Sequence, residues 1–198
     1  MTSAERREQI IQAATSVFGD RGYHGTTTDQ VAKAAGISQP YVVRMFGTKE
    51  ALFLEVINAA LAMLLVSFRE QLAEHRSSGE PAEALVPKLG NAFIDLVKTR
   101  GLHRSLMQGF VSGGDPVIGV AARRGFLEVY AFLRDEAGFA PEEVQTFLSY
   151  GMLTSVLLCI EMPSLFGRDS DATELACAAF GHKLDLVLET MGPDAASA

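Results

Sequence analysis

Apolar residues recur along this chain at three- and four-residue intervals, the spacing that gathers them on one face of an α-helix. The first stripe is Ile10, Ala14, Val17 and Phe18. It is preceded by Thr2 or Ser3 as a cap, with Glu5 in the first turn, and closed across residues 19–25. A short second helix opens at Thr27, where Gln30 three residues on completes a capping box. It turns Val31, Ala32 and Ala35 inward. Gly36 suits the left-handed position that ends such a helix. Ser38 caps a third helix with Pro40 in its first turn, where a missing N–H costs little. Val42 and Phe46, four apart, join Ile37 in packing on the second helix, which leaves Gln39, Pro40, Tyr41 and Arg44 outward.

Thr48 caps a fourth helix that is expected to run to about His75 through Leu52, Val56, Ala59, Ala60, Met63 and Leu64. Ser77-Ser78-Gly79 breaks it, and Pro81 opens a fifth helix ending near Arg100-Gly101. A short sixth helix spans about Leu102 to Val111. Pro116 starts a seventh, carrying Val120, Phe126, Leu127, Tyr130 and Leu133, which Gly138 ends. Pro141-Glu142-Glu143 is the first turn of an eighth, running to about Met162 and apolar nearly all round, so it needs cover on several sides. Asp171 or Thr173 begins a ninth, with Leu175, Ala178, Ala179, His182 and Leu186 on one face. No segment alternates as a strand does. The expectation is an all-α chain of about nine helices: a helix-turn-helix domain over residues 1–50, a helical bundle over 51–191, and a disordered tail over 192–198.

Two short helices joined by a glycine-bearing turn, the second with a polar outer face, describe a DNA-reading helix-turn-helix. The residues carry a more specific resemblance. Ile10-x-x-Ala13-Ala14-x-x-x-Phe18, Gly22-Tyr23, Thr26-Thr27, Val31-Ala32-x-x-Ala35-Gly36-Ile37-Ser38 and Phe46-x-x-Lys49-Glu50-x-Leu52-Phe53 agree together with one pattern. Over about the first quarter of its length the chain resembles the tetracycline-repressor (TetR) family of transcription regulators. Two positions depart from it. Val43 stands where the family usually has an aromatic, most often Tyr, and Tyr41 where it has a small residue such as Thr or Ala. That points to Tyr41 as taking over a phosphate or base contact.

The resemblance implies a homodimer, most often a repressor, on a near-palindromic operator. Thr27, Thr28, Ser38, Gln39, Pro40, Tyr41, Arg44 and Lys49 are then the DNA-facing residues. It also implies dimerisation through the last two helices, by Leu175, Ala178, Ala179, His182 and Leu186. An effector pocket is implied within helices four to eight, with Phe93, Phe110, Phe126, Tyr130, Met152 and Ser155 as candidate walls. These are mainly apolar, so the expected effector is a largely apolar small molecule with one or two polar groups.

The net charge of −7 argues against nucleic acid until the chain is divided. Residues 1–50 hold six Lys/Arg against five Asp/Glu, a balance of +1, whereas residues 51–198 hold eleven against nineteen, a balance of −8. A balance of +1 is slight for a DNA binder, so Arg6, Arg7, Arg44 and Lys49 are expected to supply the phosphate contacts. Lys49, in the first turn of a helix, is badly placed for the helix dipole, which favours a phosphate partner. Cys159 and Cys177 lie far apart, as free buried thiols in a reducing compartment would. The polar start at residues 1–8 lacks a signal sequence, and the apolar run from Met152 to Ile160 is too short to span a bilayer. The chain therefore reads as cytoplasmic, with no membrane partner.

No catalytic motif, metal-ligand spacing or cofactor fingerprint is present in the sequence, and His24, His75, His103 and His182 fall in different elements. Several residues keep two readings. Asp29 serves the dipole of the second helix or accepts from a cytosine amino group. Arg123-Arg124 is a solvated helix face or a nucleic-acid patch. Glu161 faces a rim or meets a ligand or an Arg within a pocket. Two rivals to a regulator stand beside it: a helix-turn-helix module that binds protein, and an enzyme built on a helical bundle.

Overall fold

The structure is a computed structural model describing residues Thr2–Met191; the expected tail at 192–198 lies outside the described residues. The helices are α1 (Ser3–Gly25), α2 (Thr28–Ala34), α3 (Gln39–Phe46), α4 (Lys49–Ser78), α5 (Leu85–Asp95), α6 (Leu102–Val111), α7 (Pro116–Ala131), α8 (Pro141–Cys159), α9 (Ser170–Phe180) and α10 (Leu184–Met191). No strand occurs among the described residues, and the fold is all-α. The ninth expected helix is bent: α9 and α10 are its two halves, joined by a 3-10 turn at Gly181–Lys183 where Gly181 has φ 49°.

Caps set most of the boundaries. Thr2 and Thr27 each complete a capping box, with Glu5 and Gln30 respectively. The Thr48 hydroxyl accepts from the Ala51 N–H at 3.0 Å and opens α4. Asp115 accepts from the N–H groups of Ile118 and Val117 at the head of α7, and those bonds hold its carboxyl below the usual range. Five ends differ from expectation. A 3-10 turn, Ala82–Ala84, separates Pro81 from α5, and α5 gives way to another at Leu96–Lys98. α7 continues as a π-helical stretch, Phe132–Glu136. α8 stops at Cys159 because Glu161 takes a left-handed conformation, φ 56°, and Glu161 is exposed. Asp169, whose carboxylate accepts from the Ala172 N–H, caps α9 ahead of both expected starts.

The described residues form two compact units, 2–63 with 99–127 and 64–98 with 128–191. In this division α6 and most of α7 group with the N-terminal helices. In the first unit, Ile10, Ala14, Phe18, Val31, Ala32, Val42, Leu52, Phe53, Val56 and Ile118 form one core. Phe18 and Tyr23 both meet the Phe53 ring at a tilt, at 4.8 and 4.9 Å between centroids. α1 lies directly on the start of α6. Gly19 faces Gly101, where a Cβ on either glycine would overlap backbone of the other strand of chain, and the Ser105 hydroxyl donates to the Thr15 carbonyl at 3.0 Å.

In the second unit, Ile94, Val97, Leu157, Leu158, Ala176, Phe180 and Val187 form the core. Phe68 meets the rings of Phe132 and Phe147 at 5.6 and 5.8 Å. The most apolar window of α4 has a mean hydropathy of 2.2 and would by length and composition suffice to cross a bilayer, yet half of it is buried in the fold. That apolarity was not captured by the run at Met152–Ile160. It supplies Leu52, Phe53 and Val56 to the core of the first unit, and Phe68 to the ring cluster with Phe132 and Phe147 in the second. Cys177 is exposed, against the expectation of two buried thiols, and Cys159 is half-buried.

Candidate nucleic-acid interface

α2 and α3 are held by their apolar faces, and this leaves a defined outer surface. Val31 and Ala32 of α2 and Val42 and Phe46 of α3 are buried, and Gly36 takes φ 65° in the turn between the helices. On α3 the exposed residues are Pro40, Val43 and Arg44, spaced as one stripe along a helix. Val43 is 38% exposed, so a residue noted in the sequence only as a departure lies at the centre of the outer face. The spacing 40, 43, 44 held that signal.

The expected contact residues fall into groups. Thr27 and Ser38 are exposed at the two helix starts, Thr28 and Gln39 are half-buried, and Gln39 Nε2 donates to Thr28 Oγ1 at 3.1 Å. That bond ties the first residue of α3 to the first residue of α2. Ser38 has the backbone conformation of a cap, but its hydroxyl makes no capping hydrogen bond. Tyr41, expected to point outward, is half-buried with its ring against the core, and the Arg44 guanidinium lies 4.9 Å over that ring. Asp29 pairs with Lys33 one turn on at 2.8 Å, which suits the dipole reading.

Lys49 has partners within its own chain. Its ammonium donates to the Tyr23 carbonyl at 2.9 Å and approaches that of His24 at 3.5 Å, and it lies 4.6 Å over the Tyr23 ring. It sits at the C-terminal end of α1, where carbonyls lack helical partners and a cation is favoured. The dipole it serves is that of α1. Burial raises the Tyr23 phenol pKa, with the carboxylates of Glu50 and Asp115 adding to the shift. Arg7 is likewise engaged, 2.7 Å from Glu55 and 4.6 Å over the Phe46 ring.

The candidate effector residues separate by unit. Phe110 and Phe126 are in the first, an edge-to-face pair 5.8 Å apart and each more than a third exposed. Phe93, Tyr130, Met152 and Ser155 are in the second. Gly151 of α8 leaves its flank open to the Phe93 ring, Ser155 is buried, and Tyr130 carries the Arg134 guanidinium 5.3 Å over its ring.

Of the candidate dimer residues, Leu175, Ala179 and Leu186 are half-buried against the core of their own chain, while Ala178 and His182 are exposed. An exposed apolar stripe runs along α8 and one residue past its end, through Tyr150, Leu153, Val156 and Ile160. Sequence periodicity missed it because α8 is apolar on every side. His182 lines a polar recess with Lys88, Asp95 and Lys183.

Residues 10–56 match the family described as bacterial regulatory proteins, tetR family. The chain is similar to the HTH-type transcriptional activator FasR of Mycolicibacterium smegmatis, 34% identical over 94 residues, covering 48% of this chain and 41% of that protein. It is also similar to the HTH-type transcriptional regulator RutR of Escherichia coli strain K12, 35% identical over 71 residues, 34% of each. The chain thus spans about two fifths or less of the length of these relatives. The fold as a whole is similar to that of the fatty acid degradation regulator FadR from Bacillus halodurans, with a TM-score of 0.62, 16% identity and coverage of 93% and 96% of the two chains.

Proposed function

We propose that this chain, whose N-terminal domain is of the tetR family of bacterial regulatory proteins, is a homodimeric, ligand-responsive repressor of transcription that binds a near-palindromic operator. The observation that carries the reading is the outer face of α3. Pro40, Val43 and Arg44 are exposed in one stripe while Val42 and Phe46 lock the helix to α2. A rigid helix with one free face is what entry into the major groove requires. Thr27, Thr28, Ser38, Gln39, Pro40, Tyr41, Val43 and Arg44 form the contact set; Lys49 supports the end of α1 and stands outside it.

Each copy presents one such helix, and the twofold axis places the half-sites ~34–36 Å apart. Residues of the α8 stripe, with Ala178 and His182, form the dimer face. Phe93, Tyr130, Met152 and Ser155 contact a largely apolar effector carrying one or two polar groups. The site of action is the cytoplasm, and the reading carries no catalytic step and no membrane partner.

Selection of bound duplexes from a random pool tests the reading. The expected product is a near-palindrome whose retention weakens steeply with salt. Gln39→Ala then relaxes discrimination at one or two positions of each half-site, by roughly 1–3 kcal/mol. A pool that converges on no sequence and shows no salt dependence overturns it, and leaves the protein-binding module standing. Reporter transcription from the selected operator decides the sign, with a rise on deletion of the regulator expected.

A further inference from the structure

An open recess of about 450 Å³ in the N-terminal unit is lined by Thr2, Ser3 and Arg6 from the start of α1 and by Ile37, Ser38 and Tyr41 from the start of α3. Among the described residues, those of the lining carry one guanidinium and four hydroxyls, and the Glu5 carboxylate is taken up by the Thr2 N–H at 2.6 Å. The Ser38 hydroxyl is not used as a cap. Arg6 Nη1 donates to Gln9 Oε1 at 2.9 Å, and Gln9 Nε2 donates to the Ala35 carbonyl at 3.0 Å. The guanidinium is therefore tethered through Gln9 to the end of α2, with one of its five N–H groups so used.

The other cations of the domain sort around this one. Arg7 is paired with Glu55, and Lys49 caps α1. Arg44 lies over the ring of Tyr41, so a second positive charge stands beside the lining. A held guanidinium among hydroxyl donors, with no acid among the described lining residues, is a site for an oxyanion. It adjoins the first turn of the helix that reads DNA.

We infer that this recess takes one phosphate of the DNA backbone in each half-site, with Arg6 as its charged donor, the Ser38 and Tyr41 hydroxyls as neutral donors, and Gln9 as the residue that positions Arg6. The inference rests on the DNA-binding reading above. It also gives Tyr41 its role: the ring is anchored in the core and the hydroxyl is brought to the recess, where a small residue at this position would leave the phosphate one donor short.

The test uses the full chain and a selected duplex in which each phosphate in turn is replaced by an uncharged methylphosphonate. Wild type is expected to show one phosphate per half-site whose neutralisation weakens binding roughly tenfold. Arg6→Gln loses the response at that position alone, and its slope of log affinity against log salt becomes shallower by about 0.9 per half-site. Tyr41→Phe and Gln9→Ala weaken binding with the slope unchanged, because no charge is removed. Matching scans for wild type and Arg6→Gln overturn the inference while leaving DNA binding intact. A wild type that retains no duplex overturns the DNA-binding reading and this inference together. Titration with inorganic phosphate at constant ionic strength separates a free anion from the backbone. Arg6-dependent saturation without an Arg6-dependent methylphosphonate position would make this a free-anion site and overturn the assignment to DNA.

Discussion

Replacing Lys49 by Met separates a structural cation from a DNA contact. The variant keeps an apolar stem over the Tyr23 ring and removes the ammonium that the Tyr23 carbonyl accepts from at 2.9 Å. A hydrogen bond from a charged donor contributes about 1.5–3 kcal/mol. A cation at a helix C-terminus adds ~0.3–1 kcal/mol, and one over an exposed aromatic face ~0.5–1 kcal/mol. These are three views of one charge and do not sum. Lys49 is half-exposed, so the low end applies and the expected loss is about 1–2 kcal/mol. In urea this lowers the midpoint by roughly 0.5 M at unchanged m for a slope of about 2–3 kcal/mol/M. Lys49→Arg recovers part of the loss, because a guanidinium can reach the same carbonyls. The salt slope of duplex binding stays that of wild type. An unchanged urea midpoint together with a salt slope shallower by about 0.9 per half-site would refute the reasoning and restore Lys49 as a phosphate ligand.

Gly19→Ala should reverse the usual helix ranking: Ala gains about 1 kcal/mol in a helix interior, but the new Cβ would lie 2.6 Å from the Gly101 Cα, an overlap costing ~1–3 kcal/mol or more. The melting temperature is expected to fall by several degrees, and a rise would show that α1 and α6 separate easily. Val156→Arg, on the exposed stripe of α8, should give a helical monomer by light scattering with operator affinity lost, whereas Ala179→Arg, half-buried in the chain's own core, should also destabilise the fold. A Val156→Arg dimer would move the interface elsewhere. The Glu136 carboxyl accepts from Arg69 at 2.9 and 2.7 Å, and these bonds hold its pKa below the ordinary 4.5. A lowered folded pKa stabilises above the unfolded value and is lost as pH falls through the folded one, so an Arg69→Met variant should lose less stability than wild type between about pH 5 and 3. Coincident melting profiles over that range, at low salt, would show that this half-exposed pair contributes nothing.

The sequence alone determined what depends on neighbours within a turn or two of helix. Capping boxes at Thr2 and Thr27, the proline at the head of α3, the glycine after α2 and the opposed stripes of α1 to α3 are local features. They specified the helix-turn-helix, and with it the outward face of α3 and the expectation of DNA. The bounds of α6, with apolar residues on one face and glycines beyond both ends, were legible for the same reason.

The tertiary structure decided whatever depends on residues distant in the chain. Lys49 meets a carbonyl of residue 23, Gln9 meets one of residue 35, and Gly19 meets Gly101. No periodicity encodes these meetings, because each joins two elements whose stripes could pack in more than one register. The same holds for α8, whose sequence is apolar on all sides. Only packing against α5 and α9 shows that Leu157 and Leu158 are core while Leu153, Val156 and Ile160 remain uncovered. Tyr41 shows the two levels together. Helical spacing placed it near the reading face, but burial of its ring against the core made it one wall of a recess it shares with Arg6.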